Sequence, residues 1–323
     1  MKRFFLKFFA YLLALLLPCA AYFFYQQQFP AVYNNTFMGT VPVKLRLLRE
    51  ISSPKVVILS GSSGPYAIEA ETMDRALGMP CFVDGSVAAI GMEFCLSLAE
   101  DAIGAGDIVI VEPEFLMWSG ERSNQIDWCC LQNHYEVYRY VPLSYWPDMI
   151  CHYYDYVQQR NMSFRRDTPE EDLVECYYDQ DLGPRGDLLV ERYAVMEDGY
   201  LTSALMDVSP ELLDMDCMRA LNRFVRKMQR RGATVYVHFA PFARAAVTTT
   251  PEEVAAFEQK VIDTCDATVI SRLEDCLVDN RYLHSTNNHL NSEGAHMFTR
   301  LVLQDLAGAG VPVDWDALDA DAK

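Results

Sequence analysis

The sequence predicts an α/β fold with a mostly parallel sheet, carried on one N-terminal transmembrane helix and interrupted by an aromatic-rich insertion. Three observations predict it. Short β-branched runs alternate with helical stretches on both sides of the insertion, the usual signature of β-α-β units. The run Val56-Val57-Ile58-Leu59 is continuously apolar, as in a strand buried on both faces. The stretch from Phe4 to Tyr25 is almost wholly apolar, and roughly 20 such residues are what a bilayer-spanning helix needs.

Composition sets the outer limits. The chain has 323 residues, 51% hydrophobic and 22% charged, which is the make-up of a globular protein with a full core. Its net charge of −18 opposes attraction to phosphate backbones, so no nucleic-acid partner is expected. Ten cysteines are present without a Cys-x-x-Cys pair or a Cys/His cluster at zinc-ligand spacing, so neither a metal nor a set of disulfides is assigned. No cofactor is expected.

The chain divides into an anchor over residues 1–25, a connector over 26–53 and an α/β domain over 54–323. Lys2, Arg3 and Lys7 precede or enter the apolar stretch, whereas Gln26-Gln27-Gln28 follow it, so the positive-inside bias places the N-terminus in the cytoplasm and the domain outside. A cleaved signal peptide ending near Cys19-Ala20-Ala21 is the alternative. The aromatic run Tyr22 to Tyr25 resembles an interfacial belt and favours a retained anchor. The connector carries Pro30, Asn34-Asn35, Gly39 and Pro42 and is expected to lead the domain away from the bilayer.

Within the domain, the first strand runs into Ser60-Gly61-Ser62-Ser63-Gly64-Pro65, where glycines permit a tight turn and Pro65 suits the first turn of a helix continuing through Glu71. A second strand is expected over 80–86, ending at Asp84-Gly85-Ser86, then a helix over 87–102 and a third strand over 107–111 ending at Glu112-Pro113-Glu114. The insertion covers about 115–202. Its aromatics, among them Trp118, Trp128, Trp146 and Tyr153, are read as a small core of their own, although aromatics at a sheet edge also stack on sugars or pack against a membrane partner. Order returns with a helix from Ser209-Pro210 to Arg230, a strand over 234–239, a helix from Thr250-Pro251 to about 265, a short strand over 267–271 and a last helix over 291–306. His238, on an apolar strand, is expected to be a satisfied core residue.

Reactive groups in open parallel sheets gather beyond the carboxyl ends of the strands. That rim brings together the serines after the first strand and the histidines just before the last helix. The pair Gly61-Ser62-Ser63 and His289-Leu290-Asn291-Ser292-Glu293-Gly294 resembles the SGNH (GDSL-like) hydrolase superfamily, more narrowly its membrane-anchored extracytoplasmic branch related to DltD and to alginate-type O-acetyltransferases. The resemblance implies a three-layer SGNH/flavodoxin-like fold, with Ser63 as nucleophile, His289 as general base, and backbone amides near Gly85 and Gly64 as oxyanion donors. It also implies a cell-envelope glycan or acyl donor as substrate and a polytopic membrane O-acyltransferase as partner.

Three positions depart from the family pattern. Ser285 and Thr286 stand where an aspartate would orient the histidine, leaving Ser285, Thr286 and His284 as its substitutes. Glu112-Pro113-Glu114 stands where the family has an asparagine, and Ser62 replaces an acidic residue. The sequence therefore supports two functions: a serine esterase or O-acyltransferase, or accessory factor, acting on acyl groups of envelope polysaccharide, and a catalytically inactive domain that binds glycan or scaffolds a complex.

Overall fold

The computed structural model describes residues 1–29, 36–165, 181–195 and 205–319, and the fold is α/β. Pro30 and Asn34-Asn35 of the expected connector, and insertion residues 166–180 and 196–202, lie outside the described residues. Five parallel strands form the main sheet: β1 (Val56–Ser60), β2 (Cys81–Gly85), β3 (Ile108–Glu112), β4 (Thr234–Val237) and β6 (Thr268–Val269), in the order β2-β1-β3-β4-β6. The chain winds to one side of β1 for β2 and to the other for β3, so the crevice beyond Ser60 and Glu112 is the switch point of the sheet. A second, two-stranded parallel sheet joins β5 (Phe242–Ala243) to β7 (Leu277–Val278), too short to register as strands in the sequence.

Every residue of β1 is buried, as its unbroken apolar run requires. At the opposite end from the switch point, Lys55 and Asp107 form a fully buried ion pair of 2.8 Å. Lys55 Nζ also donates to the Ala102 carbonyl at 2.7 Å, and Asp107 accepts from the Lys55 and Gly104 amides. These bonds satisfy a charge pair that would otherwise be costly to bury, and they set the register of β1 against β3.

Several expected helices are broken, one by distant partners for its amides and two by local backbone and capping. The helix after β1 spans only Ser63–Ala67; Ile68 is extended, the Glu69 amide donates to Thr299 Oγ1 and the Ala70 amide to Asp187 Oδ2, and a second helix starts at Ala70. The helix expected over 87–102 is interrupted by Gly91, at φ +81, and the regular part is Met92–Ala99. Asp214 accepts from the Asp216 and Cys217 amides and starts the helix Met215–Arg230 afresh, leaving only a 3₁₀ turn at Pro210–Leu212. Thr250 and Glu253 form a complete capping box on Pro251–Thr264.

The connector is not a spacer throughout. Thr40–Glu50 is a helix that buries Val41, Leu45 and Leu48, and the fully buried Lys44 Nζ donates to the Gly85 carbonyl. Lys44 lies among Asp84 and Asp187; burial pushes the ammonium down and the Asp84 carboxyl up. The insertion supplies the helices Asn124–Leu131 and Trp146–Arg165. Its aromatic core also takes in the N-terminal helix: Trp128 meets Tyr153 at 4.6 Å between ring centres, and Phe23 meets Tyr153 at 5.2 Å. The helix Lys2–Gln26 is long and apolar enough to cross a membrane, and its last turn is pinned by Arg160 Nη1 to the Gln26 carbonyl at 3.0 Å.

Two stability predictions follow from this packing. A Cβ on Gly85 would lie 2.2 Å from Pro65 Cδ and 2.7 Å from the Gly61 carbonyl oxygen, so Gly85→Ala is expected to cost about 3 kcal/mol in urea denaturation. Glu112 is fully buried and neither carboxyl oxygen has a partner among the described residues; burial, aided by the nearby Glu114, holds it well above the ordinary carboxylate range. The folded state therefore keeps a proton that the unfolded chain releases above pH ~4.5. That contribution to stability is present at acid pH and is lost as pH rises toward the folded-state pKa. The stability of Glu112→Gln relative to the unsubstituted protein should accordingly rise from pH 4.5 to 7, and a fixed offset in melts across that range would refute the assignment.

Candidate active site at the switch point of the sheet

The rim beyond β1 is assembled by close backbone approach. A Cβ on Gly61 would meet Glu114 Oε1 at 2.3 Å, and one on Gly64 would meet Ser60 Oγ at 1.9 Å. Only glycine lets the turn sit this tightly on the strand end and on the loop after β3. Ser62 is the N-cap residue of the Ser63–Ala67 helix and remains half-exposed at the rim, whereas Ser63 occupies the first helical position and is fully buried.

The histidine arrives from the other end of the chain. Leu283 bridges to Leu290, the His284 amide donates to the His289 carbonyl at 2.8 Å, and the Asn291 amide donates to the Tyr282 carbonyl at 2.9 Å, closing the loop that carries the ring. Asn291 caps the last helix, Ser292–Gly308, by accepting from the Gly294 amide at 2.9 Å. Gly294 is required because a Cβ there would stand 2.5 Å from the Tyr282 carbonyl oxygen. The His-Leu-Asn-x-x-Gly motif is thus a positioning device as much as a source of one imidazole: buried Leu290, the asparagine cap and the glycine hold the loop on its helix.

His289 Nε2 lies 2.8 Å from Ser62 Oγ. The serine brought to the histidine is therefore Ser62, not Ser63 as the Gly-x-Ser spacing suggested. Ser63 Oγ is turned inward beside Glu114 and has no hydrogen-bond partner among the described residues. The difference is one of helix geometry: an N-cap side chain projects outside the first turn, whereas the next one points back over it. Position within the turn, rather than the match to a three-residue pattern, was the available signal.

The other ring nitrogen, Nδ1, lies 3.2 Å from Ser285 Oγ. For Nε2 to accept from the Ser62 hydroxyl, Nδ1 must carry the proton and donate it to Ser285. Ser285 thus occupies the orienting place, while Thr286 bonds Asn288 Oδ1 at 2.8 Å and His284 Nδ1 lies 3.4 Å from the Ala194 carbonyl. Tyr66 stacks on the imidazole, ring centres 3.8 Å apart and planes 8° from parallel. Arg192 in turn lies over Tyr66, 5.6 Å from its ring centre, and bonds the Tyr66 carbonyl at 3.2 Å and the Leu290 carbonyl at 3.1 Å. Neither Tyr66 nor Arg192 carries a motif; both act through tertiary contacts that sequence spacing does not reveal.

Electrostatically the site is built around a neutral base and a buried acid. Burial, with smaller contributions from His284 and Arg192, lowers the His289 pKa to about 3, so the imidazole is neutral throughout the physiological range. Glu114 Oε1 accepts from the Ser63 amide at 2.7 Å, and Ser62 Oγ, whose proton points to His289 Nε2, lies 3.4 Å from it. Burial raises the Glu114 carboxyl above its usual value, opposed chiefly by the hydrogen bond from the Ser63 amide. Of the expected oxyanion donors, Gly64 lies inside the first helical turn and Gly85 closes β2 in register with Ser60. Among the described residues no cluster of His, Cys, Asp and Glu could hold a metal ion. His238 is buried and doubly bonded, to the Phe239 carbonyl and to Asp305.

Placing a carboxylate at Ser285 tests whether a neutral partner keeps the ring's pKa low. In Ser285→Asp the His289 pKa is expected to return to about 6 or higher, read by NMR titration of the ring; a ring that stays neutral down to pH 4 would show that burial alone sets it. Ser63→Ala, which removes a buried hydroxyl beside Glu114, should change stability by no more than about 1 kcal/mol in the same samples. No protein-family model matches this chain, and no curated protein matches it.

Proposed function

We propose that the chain is a membrane-anchored, extracytoplasmic SGNH-like serine esterase or O-acyltransferase acting on acyl groups of cell-envelope polysaccharide. The observation that carries this reading is the 2.8 Å contact between Ser62 Oγ and His289 Nε2 at the carboxyl edge of a parallel sheet. The strand order β2-β1-β3-β4-β6 is compatible with a three-layer flavodoxin-like arrangement of the SGNH type. The basic residues Lys2, Arg3 and Lys7 before the apolar helix favour an outside location for the domain. The glycan substrate and a polytopic acyltransferase partner rest on the resemblance of the two end motifs.

The chemistry is ordinary acyl transfer. His289 Nε2 takes the Ser62 proton as Oγ bonds to the carbonyl carbon of an ester; the tetrahedral intermediate collapses, the ester C–O bond breaks, and the imidazolium returns that proton to the leaving alkoxide. A water or sugar hydroxyl then gives its proton to His289 and attacks the acyl-serine, releasing acid or new ester and restoring Ser62. Ser285 holds the ring in the tautomer this needs, and Tyr66 holds its plane.

A second reading has its own observation. Glu114 already occupies the Ser63 amide, a natural oxyanion donor, and Ser285 supplies no negative charge to stabilise an imidazolium. These are features of a catalytically silent domain that binds glycan or scaffolds a complex.

Labelling of the full-length protein by a fluorophosphonate and turnover of p-nitrophenyl acetate separate the two. Labelling is expected to be abolished by Ser62→Ala, to fall at least about a hundredfold in rate in His289→Ala, and to persist in Ser63→Ala. Ser285→Asp is expected to raise turnover about tenfold or more by restoring charge behind the base. Equal signals from Ser62→Ala and the unsubstituted protein would leave the silent-domain reading standing.

A further inference from the structure

We infer that the cleft adjoining Ser62 is a pocket for the linear aliphatic chain of a medium-length acyl group. The inference rests on the acyl-transfer reading of Ser62 and His289 and gives that reading a substrate class.

A cavity of about 230 Å³ opens beside the site. Its walls are apolar, built from Phe115, Leu116, Trp118, Met206, Phe242 and Leu273. Its polar lining is confined to Glu114 and the segment Thr286, Asn287 and Asn288. That polar end abuts the reacting pair: Glu114 Oε1 is 3.4 Å from Ser62 Oγ, and Asn288 directly precedes His289. An acyl group on Ser62 would pass Glu114 and Asn288, and its chain would lie along the apolar wall beyond them.

Size and chemistry select the chain. An enclosed site of about 150 Å³ accommodates a benzene-sized ligand, so this cleft suits a chain of about nine carbon atoms. An acetyl group would leave most of the apolar wall wet, and a charged aminoacyl group would place an ammonium against aromatic and aliphatic carbon, with Glu114 the one carboxylate among the described lining residues. Each methylene transferred from water to such a wall favours binding by about fourfold.

The test uses the full-length chain in lipid nanodiscs, with p-nitrophenyl acetate, butyrate, octanoate, phenylacetate and palmitate. We expect kcat/KM for octanoate to exceed that for acetate at least tenfold and to fall again at palmitate. Met206→Trp and Leu116→Trp, both at half-buried wall positions, should each lower the octanoate-to-acetate ratio at least tenfold. Two such substitutions guard against one failing to fold. Acetate or phenylacetate preferred over octanoate, or a ratio unchanged in variants that melt with the unsubstituted protein, would overturn the pocket. If no ester is turned over, the acyl-transfer reading falls and the pocket is judged alone by octanamide: a rise in Tm that Met206→Trp abolishes sustains it, and no rise in the unsubstituted protein overturns it.

Discussion

The site depends on how closely backbone segments approach one another at the carboxyl end of β1. Gly61 stands against the Glu114 carboxyl, Gly64 against Ser60 Oγ, and Gly85 against Pro65 and the Gly61 carbonyl. With any Cβ at these places, the turn, the end of β2 and the loop after β3 could not converge, and the helix that begins at Ser63 would lift from the sheet. Ser62 is then the one serine of the pair that the N-cap position leaves half-exposed at the rim. The same convergence buries Glu112 and Glu114, and it draws the buried Lys44 from the connector helix onto the Gly85 carbonyl.

The histidine loop is held from the opposite direction by equally specific contacts. Asn291 caps the last helix, Gly294 admits the Tyr282 carbonyl, and Arg192 reaches both Leu290 and Tyr66. Tyr66 belongs to the short helix that follows Ser62, so its stack on His289 joins the two halves of the site through aromatic contact as well as through the serine hydrogen bond. Residues 227 positions apart are thereby fixed to within a few ångströms.

How much of this was legible in the sequence follows from which interactions are local. The strands β1 to β4 and the capped helix Pro251–Thr264 could be read because apolar runs, turn residues and capping boxes act over a few residues. The break at Ile68 and the helix Thr40–Glu50 could not, since Thr299, Asp187 and the Gly85 carbonyl supply their partners from far along the chain. In the site, spacing singled out His289 and the Gly-Ser-Ser turn, but choosing between Ser62 and Ser63 needed the helix start to be known to one residue, where sequence reading is weakest. The contribution of Phe23 to the insertion's aromatic core was hidden for the same reason: nothing local to the apolar segment marks one of its rings as a domain contact.

The chemistry of the site turns on a base without an acid behind it. A hydroxyl at Ser285 can accept the Nδ1 proton and fix the tautomer, but it carries no charge that would stabilise an imidazolium. Burial and the positive charge of Arg192 act in the same direction, keeping His289 neutral and making proton uptake unfavourable. The buried acid sits instead on the serine side, where Glu114 meets Ser62 and the Ser63 amide. As a carboxylate it would repel an oxyanion and hold the amide that should receive it; as a neutral acid, the form burial favours, it can release that amide and donate a hydrogen bond. On the acyl-transfer reading proposed above, protonation of Glu114 would shift the arrangement from one that resists the reaction toward one that assists it.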